Sequence, residues 1–125
     1  MVKSCLSIII TFLVFIGGAI YEQTYIRKAF DVLNEEFFAV YKKLSDETAT
    51  EEDLSKAQNK WLEEKYKLHA FIPHNEIKEL DLWIAEAVYY AKEKDYDEAK
   101  GKVSVTLEHL EQIPKTFALS FENLF

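Results

Sequence analysis

Residues 26–44, IRKAFDVLNEEFFAVYKKL, decide how this chain is read. Ile26, Phe30, Leu33, Phe37, Val40 and Leu44 recur at spacings of four, three, four, three and four. On a helix of about 3.6 residues per turn these positions fall on one face, while a strand would scatter them over both of its faces. The charged residues between them take the opposite face, the pattern of an amphipathic helix that lies against a core.

Upstream of this helix, residues 4–21 (SCLSIIITFLVFIGGAIY) carry no charge; Lys3 precedes them and Glu22 follows. Eighteen helical residues span about 27 Å, close to the roughly 30 Å hydrocarbon thickness of a bilayer and longer than the usual apolar core of a cleaved signal. The expected element over 1–21 is therefore a transmembrane or signal-anchor helix. Gly17 and Ala19 leave cleavage after Ala19, and hence secretion, as the alternative. Tyr21 and Tyr25 suit a membrane boundary, so the anchor and the first amphipathic helix can run on as one rod. The positive region before the apolar run, the amino terminus with Lys3, keeps the N-terminus inside and sends the rest across, which makes the remaining domain extracytoplasmic.

Residues 22–125 hold 14 basic and 22 acidic side chains, a net charge of −8. That balance argues against nucleic acid and anionic lipid surfaces as partners of the domain, since both attract clustered Lys and Arg. Cys5 is the sole cysteine. No disulfide can form within the chain, and Cys5 reads as an apolar filler of the membrane segment.

Working downstream, Ser45 to Thr50 breaks the first stripe, and Thr50 with Asp53 has the spacing of a capping arrangement. Leu54, Ala57, Trp61 and Leu68, with Phe71 and Ile72 at the end, mark a second helix that Pro73 stops. His74-Asn75 offers polar groups for a third start, followed by Ile77, Leu80, Ile84, Ala87 or Val88, and Ala91. After Lys92 to Lys94, the pair Asp95 and Glu98 caps a fourth helix carrying Ala99, Val103, Leu107, Leu110 and Ile113, which Pro114 is expected to interrupt. Three Gly and two Pro in 125 residues are few for a sandwich or barrel. The expected fold is all-α: the N-terminal helix over 1–21, an antiparallel bundle of about four helices over 22–114, and an apolar tail over 115–125.

No catalytic constellation accompanies this fold. His69 and His74 straddle Pro73, and His109 sits in the acidic stretch with Glu108 and Glu111. None of the three has a recognised metal-ligand spacing, and a site assembled across helices does not register in spacing at all, so neither metal nor cofactor is expected. Paired carboxylates are frequent, as composition requires, and neither a nucleophile elbow nor a Gly-rich phosphate loop occurs. The chain is expected to be no enzyme.

Possible ligand or partner contacts are Trp61, His74 and Trp83, as an aromatic site between the second and third helices, and Phe117, Phe121 and Phe125 in the tail. The tail either folds into a groove or is presented to a partner. An interaction or scaffold module of the cell envelope, held at the membrane and meeting a protein partner there, is the leading functional expectation; a small-molecule or peptide-binding module is the alternative.

Two resemblances add to this reading. Trp83, Ala87, Tyr90 and Ala99, with the turn Asp95 to Ala99, resemble one tetratricopeptide hairpin, although Glu86, Thr106 and the late Pro114 depart from its pattern. A lone repeat lacks the stacked neighbours that build a peptide groove, so the resemblance implies hairpin geometry only. Over its whole length, through the apolar run, Trp61, the IPHNEI segment around His74 and the closing SFENLF, the chain also resembles an uncharacterised family of short, single-anchor helical proteins of spore-forming Gram-positive bacteria. That resemblance implies a membrane location and assigns no activity.

Overall fold

A computed structural model describes residues 1–124, with side chains through Thr116. The chain forms four helices, α1 (Val2–Ser45), α2 (Glu51–Leu68), α3 (His74–Lys92) and α4 (Tyr96–Leu124), and the described residues contain no strand. All six residues of the 26–44 stripe are buried, with Leu33 and Phe37 at 0% exposure. The helix also continues upstream without a break through Gly17-Gly18 to Val2, so the apolar stretch and the stripe share one rod of roughly 66 Å.

α1 packs on α2 and α4, and α3 packs on the same two helices. Leu54, Ala57, Trp61 and Leu68 of α2, Ile77, Leu80, Ile84, Ala87 and Ala91 of α3, and Ala99, Val103, Leu110 and Ile113 of α4 join the stripe in one core. Each large apolar side chain so enclosed stabilises the fold by roughly 1.5–3 kcal/mol. Thr106 is equally buried, and its hydroxyl is satisfied by donating to the Lys102 carbonyl at 2.9 Å. Ion pairs join neighbours, with Lys43 Nζ 2.9 Å from Asp53 Oδ1 and Lys102 Nζ 3.1 Å from Glu86 Oε2, and the Tyr25 ring meets that of Phe71 edge-on at 6.5 Å.

The helix ends explain how a chain so poor in glycine turns three times. At the end of α1, Glu47 takes a left-handed φ of 56°, its N–H donating to Leu44 O while Thr48 N–H donates to Lys43 O. Lys94 repeats this after α3 with φ 60°, donating to Ala91 O, and Asp95 N–H donates to Tyr90 O. Both are Schellman closures, which usually place Gly at the left-handed position. A side chain there costs about 1–2 kcal/mol. Lys94→Gly is therefore expected to raise stability by about 0.5–1 kcal/mol once the added freedom of the unfolded glycine is counted. Chemical denaturation of the two proteins side by side checks this, and an unchanged or lower midpoint contradicts it.

α2 starts as its spacing predicts. Asp53 N–H donates to Thr50 Oγ1 at 3.3 Å and Thr50 N–H donates to Asp53 Oδ2 at 3.0 Å, a complete capping box. The Thr50 N–H, and after it Lys43, hold the Asp53 carboxyl below its ordinary pKa. A lowered folded-state pKa favours folding above the unfolded value, and that benefit fades as pH falls through the lowered one.

Three expectations are corrected. α2 ends at Leu68, with Phe71 and Ile72 in the following turn, where both N–H groups donate to the Leu68 carbonyl. α3 has Pro73 as its N-cap residue, and neither His74 nor Asn75 supplies a side-chain cap; the Pro73 carbonyl takes the first bonds, from Glu76 and Ile77. Pro114 does not interrupt α4, which runs on to Leu124. Proline removes the N–H that the Leu110 carbonyl would accept, yet the helix continues, with Leu110 and Ile113 both buried beside it.

Candidate functional site

Two surfaces stand apart from the core. The first is the N-terminal half of α1, where an 18-residue window is long and apolar enough to span a membrane or act as a signal anchor, and none of that window is buried. Ile8, Phe12 and Phe15 are all more than half exposed. Such a run in a soluble protein would normally form a core helix; here the core begins only at Ile26. Cys5 is exposed on the same segment.

The sequence-derived contact residues divide. Trp61 is 1% exposed, and its Nε1–H donates to Asp81 Oδ1 at 2.7 Å, while Lys65 Nζ donates to Asp81 Oδ2 at 2.6 Å. Asp81 thus fastens α3 to α2. Spacing did not single it out, although a core indole signals that some acceptor must lie nearby. Trp83 is half-buried and turns toward α4, where Lys102 Nζ stands 5.0 Å from its ring centre. Glu86 beside that ammonium holds the Lys102 pKa above its ordinary value. His74 is exposed, 5.8 Å from the His69 ring. The side chains of Phe117, Phe121 and Phe125 lie outside the described residues.

The second surface is a groove of about 490 Å³ between the start of α3 and the later turns of α4, lined by Pro73, Glu76, Glu108, His109, Gln112 and Ile113 among others. This volume is within the range of small-ligand sites. Glu76 and Glu79 stand one turn apart on α3, and His109 reaches them from α4. One ligand atom from each of the three comes within 4.8 Å of the other two. His109 Nε2 is 3.8 Å from Glu79 Oε2, beyond the reach of a hydrogen bond. Sequence reasoning missed this grouping, because the carboxylates and the imidazole belong to different helices and meet only through the α3–α4 packing.

These features define an all-α protein with one long apolar helix at its N-terminus and a packed helical part beyond it. Residues 20–124 match the family described as Domain of unknown function (DUF4363), and the chain belongs to that family. No curated protein and no solved structure matches the chain. The family match begins as the apolar stretch ends and takes in the packed part of α1 with all of α2, α3 and α4.

Proposed function

We propose that this chain is a non-catalytic interaction or scaffold module of the cell envelope, anchored by residues 1–21 and placing residues 22–125 outside the cytoplasm. The observation that carries this reading is the division of α1: one uninterrupted helix whose first half buries nothing and whose second half is a wall of the core. Such a helix ties the position of the packed part to that of the membrane segment and raises its local concentration toward a partner there. We further infer an antiparallel bundle. Contacting residues of α3 and α4 pair in opposite order, Glu86 with Lys102 and then Glu79 with His109, and Tyr41 near the end of α1 meets Lys100 near the start of α4. The resemblance of the sequence to single-anchor proteins of spore-forming Gram-positive bacteria makes the envelope of such a cell the proposed setting.

Topology is the test. Protease added to intact protoplasts is expected to degrade the domain to a short membrane-retained fragment, while inverted vesicles protect it. Protection in intact protoplasts would overturn the placement. Crosslinking in the native membrane should then recover a defined protein partner, and loss of that partner on truncation after Pro114 would support Phe117, Phe121 and Phe125 as contacts. Recovery unaffected by the truncation would remove them. The groove beside Pro73 favours a second reading, a small-molecule or peptide-binding module, which predicts a raised melting temperature with its ligand.

A further inference from the structure

We propose that Glu76, Glu79 and His109 form a binding site for a divalent transition-metal cation of the zinc class, clipping the first turns of α3 to α4. The inference is independent of the scaffold reading. Zinc binds imidazole nitrogen and carboxylate oxygen at about 2.0–2.2 Å, which sets neighbouring donors in a tetrahedral site about 3.4 Å apart. The 3.8 Å between His109 Nε2 and Glu79 Oε2 is too long for a hydrogen bond yet only a few tenths of an ångström wider than that edge. Glu76 Oε completes a triangle whose sides are all within 4.8 Å. Glu79 has a side chain 56% exposed, so small rotations of a free carboxylate close the remaining gap.

Electrostatics points the same way. Glu76 and Glu79 are like charges one helical turn apart, an arrangement that repels. Glu108 adds a third carboxylate to the groove wall. A divalent cation held by all three side chains reverses this repulsion, which a neutral imidazole does not. The nitrogen donor sets the class of ion: calcium and magnesium favour oxygen-only sets, while zinc, cobalt and nickel accept imidazole readily. Three protein ligands leave one position for water or for a donor on a groove occupant.

The experiment uses the full chain, purified in detergent without a histidine tag and stripped with chelator. Titration with Zn²⁺ should show one ion per chain, and free Zn²⁺ at about one hundred times Kd, worth about 2.7 kcal/mol, should raise the melting temperature by roughly 10–13 °C. Co²⁺ should give the visible absorption of a tetrahedral site. His109→Ala is expected to weaken Zn²⁺ binding at least about 100-fold, more than the usual loss of an outer-shell partner, and to abolish the Co²⁺ band. The melting temperature of its metal-free form should stay near that of the parent, which separates lost binding from lost folding. Glu76→Gln with Glu79→Gln should behave alike.

His69→Ala with His74→Ala, which removes the other histidine pair, should leave binding intact. Loss of binding in that variant would assign the metal to the wrong histidines and overturn the proposal. So would unchanged affinity in His109→Ala, or Mg²⁺ and Ca²⁺ matching Zn²⁺ in affinity.

Discussion

Phe37→Ala is expected to destabilise the folded domain by about 3–5 kcal/mol, because Phe37 is fully enclosed and its truncation leaves a cavity that neighbours fill only in part. For a domain of this size the loss appears as a fall of roughly 10–20 °C in melting temperature. The control is next to it in sequence. Phe38 is 49% exposed, stacked against Tyr41 at 6.5 Å and covered by Lys42 Nζ 4.7 Å from its ring centre. Phe38→Ala removes surface contacts worth about 1 kcal/mol or less. Paired thermal melts of the two variants therefore report which face of α1 meets the core, and equal losses would mean that the helix is rotated from the orientation described.

The second large effect concerns the other half of the same helix. Ile9 and Leu13 are one turn apart and 55% and 60% exposed. Replacing both with Asp puts two charges in the middle of the apolar segment, and each exchange costs about 3–4 kcal/mol of membrane insertion. On the proposed anchoring, a total of about 6–8 kcal/mol should move the protein from the carbonate-resistant membrane fraction, where the parent is expected, into the wash. The melting of the packed part should hardly change, because neither position contributes to the core. A double variant that still resists carbonate would rule out residues 4–21 as the element that holds the protein in the bilayer.

What could be read beforehand follows from the range of the forces involved. The stripe from Ile26 to Leu44 and the apolar faces around Trp61, Ile84 and Val103 were legible because burial on one face of a helix imposes a local period. The Thr50–Asp53 box was legible because both its bonds close within one turn. Where α4 ends was not. Proline is a local signal, and α4 runs on past Pro114 where Leu110 and Ile113 are buried in the core, a tertiary circumstance that no local pattern records. Nor did any glycine mark the turns at Glu47 and Lys94, where ordinary side chains take the left-handed conformation. The grouping of Glu76, Glu79 and His109 was hidden for a different reason: two of its members share a helix turn, and the third arrives only when α3 and α4 meet.

The unbroken course of α1 carries a mechanical implication. A helix with no hinge at Gly17-Gly18 resists torsion, so on the proposed topology a twist or tilt imposed on the lipid-facing half passes directly to the wall against which α2 and α4 rest. The Tyr25–Phe71 contact puts the α2–α3 turn beside the end of the apolar stretch, which on that topology is where the shaft would leave the bilayer. The turns at Glu47 and Lys94 would then stand at the distal end of the molecule, roughly 35 Å further out along the shaft.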